Sequence, residues 1–305
     1  MSYRPEGSIY RTEENQRLIA SAKGLSEAME NGIILEAPAA VCTGGHDLIV
    51  ELPCGTGLIP REEGAIGIRE GTTRDIALIS RVGKIVAFKV TELCLDSSGQ
   101  VRAMLSRKSA QEECLERYAD KLVPGDIIGA KITHLEKFGC FVDIGCGVPS
   151  LIPIDMISVS RIGHPSDRFE IGQDIRAVVR SRDGHRLCLS HKELLGTWQE
   201  NAALFSPGET VSGVVRSVED YGIFVELAPN LAGLAELRPG VEPGDRVSVY
   251  IKAMIPEKMK IKLIIVDTGA VPPQKSSLRY FVKDGHLDSW RYSAPECTRI
   301  IETTF

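Results

Sequence analysis

"PGDIIGAKITHLEKFGCFVDI", residues Pro124–Ile144, lies without a gap over "PGETVSGVVRSVEDYGIFVEL", residues Pro207–Leu227, when the chain is shifted by 83 residues. Pro124 meets Pro207, Phe138 meets Tyr221, Gly139 meets Gly222, Phe141 meets Phe224 and Asp143 meets Glu226. Self-similarity at a fixed spacing marks a repeated structural unit. The same shift carries "SLIP" at Ser150–Pro153 onto "GLAE" at Gly233–Glu236. Further on, "IGQDIRAVV" at Ile171–Val179 meets "PGDRVSVYI" at Pro243–Ile251 only at a shift of 72, so the later copy is 11 residues shorter there. A surface connection tolerates such a loss better than a strand does.

A weaker copy lies upstream. "IVELPCGTGLIP" at Ile49–Pro60 resembles "FVDIGCGVPSLIP", and "VRAMLSRK" at Val101–Lys108 matches "HRLCLSHK" at His185–Lys192. His46 and Ile49 fall where the phenylalanines stand, so this copy lacks the aromatic pair.

Each unit alternates Val, Ile and Phe with polar residues, broken by glycine and turn residues, which reads as short strands. Five such strands in roughly 70–90 residues fit a small Greek-key barrel. The expected fold is mainly β, with three five-stranded antiparallel barrels at about 31–110, 122–192 and 205–268. "RKSAQEECLERYADKL" and "HKELLGTWQENAALF" have the composition of linker helices, with Trp198 an anchor on a barrel. From Thr12 to Asn31, Leu18, Ala22, Leu25 and Met29 recur at helical spacing, which predicts one helix capped by Thr12 and closed by Gly32. In "RYFVKDGHLDSWRY", Asp284-Gly285 between extended runs predicts a β-hairpin in the tail Gly269–Phe305. The domain reading is a helical extension at 1–30, barrel-plus-helix units at 31–118 and 119–203, a shortened barrel at 204–268 and a tail at 269–305.

The net charge of −5 argues against a polybasic arm that grips nucleic acid by charge alone. It leaves room for a local basic strip with stacking aromatics. Eight cysteines show neither CxxC nor zinc-finger spacing, so no metal, cofactor or disulfide framework is expected. Most should be small buried hydrophobes. "MSYRPEGSIYRTEENQ" has no apolar core of a signal peptide, and no run approaches membrane-spanning length, which predicts a cytoplasmic protein. "GIREGTTR" lacks the lysine ending of a phosphate loop, and no nucleophile elbow occurs, so no enzyme and no small-molecule substrate is expected. Asp143 and Glu226 repeat at one strand position, which suggests a surface role rather than paired acid–base chemistry.

The glycine-led first strand, then "FGCFVDIG" or "YGIFVEL", then "SLIP" or "GLAE", then the basic "HRLCLS" strand resemble the RNA-binding domain of ribosomal small-subunit protein S-one. The likeness is close in Pro124–Lys192, shortened in Pro207–Asp267 and degenerate in Ile33–Lys108, and the whole chain resembles short members of bacteria of the Firmicutes type. The resemblance implies OB-folds in tandem, no catalysis, and binding of single-stranded RNA, mRNA near the small ribosomal subunit. It carries the family's two aromatics onto Phe138 and Phe141, and onto Tyr221 and Phe224. Its arginine falls on Arg186, with Arg102 and Lys260 at the corresponding places, and Lys137 stands beside the first pair. The family histidine is replaced by Pro60, Pro153 and Glu236, and its aspartate by Arg182 and Pro256.

An outward aromatic beside cationic side chains is a platform for a nucleobase, tolerant of sequence. The bland reading makes each pair core packing and each cation a solvated strand residue. A protein–protein adaptor associated with the ribosome or RNA decay, with little RNA contact, is the alternative of a different class.

Overall fold

The computed structural model describes residues 3–95, 100–268 and 278–305. The expected N-terminal helix is two helices, α1 (Glu13–Ile19) and α2 (Ala22–Glu30). Ser21 takes an extended backbone and its hydroxyl accepts the Gly24 N–H, so a second N-cap interrupts the periodic pattern. The turn is tight: a Cβ on Gly24 would stand 2.4 Å from the Leu18 carbonyl oxygen. Leu18, Ile19, Leu25 and Ala28 are buried against the first barrel.

That barrel comprises β1 (Leu35–Cys42), β2 (Leu48–Leu52), β3 (Gly55–Ile59), β4 (Lys84–Leu95) and β5 (Val101–Ser106), closed in the order β1-β2-β3-β5-β4. A short α3 (Ile76–Ile79) lies in the connection between β3 and β4, and α4 (Arg107–Arg117) follows β5, capped by Ser106. The second barrel comprises β6 (Ile127–Glu136), β7 (Gly139–Asp143), β8 (Pro149–Pro153), β9 (Asp174–Asp183) and β10 (Arg186–Ser190). After α5 (Trp198–Ala202) come β11 (Thr210–Glu219), β12 (Gly222–Ala228), β13 (Leu231–Ala235), β14 (Arg246–Ile255) and β15 (Lys260–Asp267) of the third. All three are closed five-stranded barrels with the same connectivity. One pair in each is parallel, β3 with β5, β8 with β10 and β13 with β15, so the barrels are not wholly antiparallel. Full closure leaves no open sheet edge.

Strict alternation drives the strands. In β15, "KIKLIIVD", Ile261, Leu263 and Ile265 are buried while Lys260, Lys262, Ile264 and Val266 face out. The third core also takes Trp198 from the linker and Trp290 and Tyr292 from the tail.

No hairpin forms at Asp284-Gly285. Instead the Ile127 N–H donates to the Gly285 carbonyl and the Leu287 N–H to the Gly125 carbonyl. The flank of the turn therefore pairs with the start of the second barrel rather than with itself. The tail's own antiparallel pair is β16 (Ser289–Arg291) with β17 (Glu302–Thr304). Residues 269–277 of the tail lie outside the described residues.

The chain divides into two compact units. The first runs to Leu122 and includes Gly129–Lys131 and Asp143–Pro149; the second holds Val123–Ile128, Ile132–Val142 and everything from Ser150 onward.

Candidate nucleic-acid interface

In the second unit the two aromatic pairs share one geometry. Phe138 and Phe141 meet edge to face, with centroids 6.0 Å apart and planes at 89°; Tyr221 and Phe224 do so at 6.1 Å and 88°. The ring quadrupole favours this arrangement. Phe141 and Phe224 take the outward parity of β7 and β12 and are half-buried, while Phe138 is 55% and Tyr221 70% exposed. The inner ring thus props the outer one and leaves a bare aromatic surface toward solvent.

Gly139 and Gly222 sit between the two rings of each pair. A Cβ on Gly139 would lie 2.4 Å from the Ile152 carbonyl oxygen, and one on Gly222 2.6 Å from that of Ala235. Glycine is needed there because the neighbouring strand's backbone comes so close.

Strand register places the cations. Phe224 stands opposite Leu234, which stands opposite Lys262. In the second barrel Leu151 stands opposite Cys188. In the first barrel the corresponding row is Ile49, Leu58 and Met104, with neither an aromatic ring nor a charge. Arg102, Arg186 and Lys260 each lie two residues before the fifth-strand residue of this row, and all three are exposed, as is Lys137 beside Phe138. Arg102 faces Thr56, far from any aromatic pair in its register. Lys262, exposed and in line with Phe224, was not singled out by sequence; the period-two "KIK" of β15 was its signal.

Asp143 and Glu226 are not surface groups: they are 3% and 6% exposed. In the first unit Asp143 accepts the backbone N–H groups of Glu6, Gly145 and Gly147 at 2.7, 2.8 and 3.0 Å. Burial and the neighbouring Glu6 carboxylate push its carboxyl up to about 7. Glu6 is itself clamped by Arg107, with Nε donating at 2.7 Å. In the second unit Glu226 is held by two arginines, Arg168 at 2.8 and 2.9 Å and Arg216 at 2.9 and 3.1 Å. Burial pushes its carboxyl up, but the bonds and charge of Arg168 and Arg216 outweigh that and hold it below the usual carboxylate range. A repeated acid thus marks a buried anchor.

His191 also escaped sequence reasoning. It is fully buried, and burial lowers its imidazole to about 4, so the ring is neutral. Nδ1 donates to the Ile157 carbonyl at 2.9 Å, which leaves Nε2 to accept the Tyr280 hydroxyl at 3.1 Å. This joins the tail to the second barrel. Of the cysteines, Cys114, Cys140, Cys146 and Cys297 are buried, Cys42, Cys54 and Cys188 half-buried and Cys94 exposed. Among the described residues no group of three or more His, Cys, Asp or Glu could hold a metal ion, and no helix is long and apolar enough to cross a membrane.

Residues 121–192 match the family model described as the S1 RNA binding domain. The small ribosomal subunit protein bS1 of Staphylococcus aureus strain COL is 32% identical over 263 residues, covering 80% of this chain and 64% of that protein. The Staphylococcus haemolyticus protein of the same name is 31% identical with the same coverage. The chain therefore spans a little under two thirds of the length of these curated relatives. A multidomain protein with nucleic acid binding domains from Streptococcus pneumoniae aligns at 12% identity and a TM-score of 0.26, over 79% of this chain and 76% of that one. The middle barrel thus matches the S1 RNA binding domain, in a chain similar over 80% of its length to the small ribosomal subunit proteins of staphylococci.

Proposed function

We propose that this chain binds single-stranded RNA, mRNA at the small ribosomal subunit, in the cytoplasm, without catalysing a reaction and without a metal or cofactor. The observation that carries the reading is the recurrence of one edge-to-face aromatic pair, outer ring bare, at the same place in two successive barrels. Cores do not need exposed rings; sequence-tolerant stacking does. Phe138, Phe141, Tyr221 and Phe224 are the stacking residues, and Arg186, Lys260 and Lys137 the cations beside them. Arg102, two residues before a row without an aromatic, contributes little. The relatives named as small ribosomal subunit proteins support the partner.

Fluorescence anisotropy with labelled single-stranded and duplex RNA tests this. Bases inside a duplex cannot reach an aromatic platform, so the single strand binds more tightly. Equal binding of both forms sinks the stacking reading.

The adaptor reading keeps one observation on its side. The first barrel bears no aromatic pair, yet Val41, Ile76, Ile79 and Val82 are 50%, 63%, 44% and 43% exposed. Retention of ribosome association by a chain that binds no RNA would favour it.

A further inference from the structure

Helix α4 buries Arg107, Gln111 and Cys114, which lie four and three residues apart and so share one face. In the first unit this face meets the turn that joins β7 to β8. Gln111 donates to the Gly147 carbonyl at 2.8 Å, and Arg107 does so at 3.4 Å. The backbone N–H of Cys146 donates to the Arg4 carbonyl at 2.9 Å. The turn is therefore pinned both by α4 and by the N-terminal segment. Cys114 lies against it: a Cβ on Gly145 would stand 2.8 Å from the Cys114 sulfur. The thiols of Cys114 and Cys146 are hydrogen-bonded to each other, and both are free.

Two features set Cys146 apart. Its φ is 51°, in the left-handed region that a side chain rarely adopts. Such strain persists only where the surroundings hold it in place. Cys146 also forms part of the wall of a cavity of about 300 Å³, together with Tyr3, Leu18 and Ile33. It is 4% exposed, whereas Cys114 is 0% exposed. A small reagent in the cavity therefore meets Cys146 first. The repeat supplies a comparison. Cys54 stands at the matching place in the first barrel, and its thiol donates to the Ile19 carbonyl at 3.2 Å. Pro229 stands there in the third. Among these three turns, that of the second barrel sets a thiol against a thiol.

We propose that Cys114 and Cys146 form a thiol–disulfide switch, with Cys146 the attacking thiol, Cys114 the resolving thiol and a low-molecular-weight disulfide the oxidant. The Cys146 sulfur attacks one sulfur of the reagent, the reagent's S–S bond breaks, and one small thiol leaves with the Cys146 proton. Cys114 then attacks the Cys146 sulfur, the mixed disulfide breaks, and the second small thiol leaves with the Cys114 proton. The protein pair loses two electrons and the reagent gains them. The hydrogen bond to Cys114 and burial push the Cys146 thiol above its ordinary range, so the first attack is the slow step. The contact between the two sulfurs makes the second step fast. The new bond closes a covalent loop over residues 114–146, which contains Phe138 and Phe141. A closed loop restricts the unfolded chain, so the oxidised form is the more stable one. In a reducing compartment a disulfide of this kind forms transiently and reports a change in thiol balance. The switch stands whether or not the chain binds RNA.

The test treats the full chain, without denaturant, with 2-hydroxyethyl disulfide and then blocks the remaining thiols. Peptide mapping by mass spectrometry without reduction should show an intramolecular Cys114–Cys146 link. The thermal midpoint should rise by several degrees and fall back on adding dithiothreitol. Cys114→Ser should strand a hydroxyethylthio adduct on Cys146, because no resolving thiol remains. Cys146→Ala should give neither link nor adduct at this turn, and Cys54→Ser should form the link as the parent does. The main readout comes from the parent chain, so it does not depend on any variant folding. A parent that shows no link once the exposed Cys94 has fully reacted, or shows it only in urea, overturns the proposal. A link that leaves the thermal midpoint unchanged or lowers it overturns the switch as well.

Discussion

The first and third barrels share their connectivity and fill the same positions differently. Across the second, third and fifth strands the first barrel sets Ile49, Leu58 and Met104, where the third sets Phe224, Leu234 and Lys262. Two residues along from the first of these, Glu51 is exposed and Glu226 is buried between two arginines. The barrel needs only the inward parity to be apolar; the outward parity is free to become a binding surface, an anchor or neither. Asp143 sharpens the point, because it is the same acid in the second barrel, buried but held chiefly by backbone N–H groups.

The largest expected effect breaks the anchor. Glu226→Ala leaves Arg168 and Arg216, with side chains 4% and 12% exposed, without their carboxylate. Removing one partner of a buried pair costs about 3–5 kcal/mol, read as a lower urea midpoint. Glu51→Ala should stay within about 0.5 kcal/mol, as exposed substitutions do. Equal losses at the two positions would mean that burial of this acid does not matter to the fold.

Next comes the aromatic row. Replacing Phe138 and Phe141 together by Ala should weaken binding to single-stranded RNA by about 1–3 kcal/mol for one lost base. Tyr221 and Phe224 should behave alike. The thermal transition is the control, because a buried Phe→Ala alone costs about 3–5 kcal/mol of stability. A folded variant that binds RNA as well as the parent would end the stacking reading.

A smaller effect separates the two acids by pH. Asp143 is raised in the folded chain to about 7, so it takes its proton there before it does in the unfolded chain. Its contribution is fully present below the ordinary carboxylate value and is lost as pH climbs toward about 7. Glu226 is lowered, so its contribution is present above that value and is lost as pH falls below it. Urea unfolding should therefore show the parent gaining about 1–2 kcal/mol relative to Asp143→Asn on going from mildly alkaline to mildly acidic pH. A pH-independent difference would show that Asp143 stays charged throughout.

The smallest effect is expected in the first barrel. Ile49→Ala should change RNA affinity by less than about 0.5 kcal/mol, since the row there offers no aromatic platform. A loss comparable to that of the Phe138 and Phe141 variant would make the first barrel a third site and erase the contrast.

The second and third barrels were legible because the repeats at shifts of 83 and 72 aligned their strands before any strand was assigned, and the first was legible through its weaker copy. The aromatic pairs were legible for the same reason, and the anchoring of Trp198 was legible from a large aromatic in a linker segment. The burial of Asp143 and Glu226 was not. Glu6 lies 137 positions from Asp143, ahead of the first barrel, and Arg168 lies 58 positions from Glu226, in the connection between β8 and β9, while Arg216 stands where the earlier copy has Thr133, so the repeat itself did not announce the pairing. The second N-terminal helix was hidden because Ser21 breaks the backbone without breaking the apolar period. The tail misled because Asp284-Gly285 has the chemistry of a hairpin turn, while the backbone of residues 125–127 supplied the competing partners. Lys262 was passed over because the family pattern pointed two residues earlier, to Lys260.

The pairing of the tail with the second barrel has a consequence in time. Asp126 and His286 are 160 positions apart and meet at 2.8 Å. At about 5–20 residues per second, synthesis of the intervening chain takes on the order of ten seconds or more. Barrels of this kind complete their strands within milliseconds to seconds of being available. The second barrel can thus close while the backbone at Gly125 and Ile127 still waits for Gly285 and Leu287. During that interval a nascent chain presents unpaired N–H and C=O groups that the finished molecule covers.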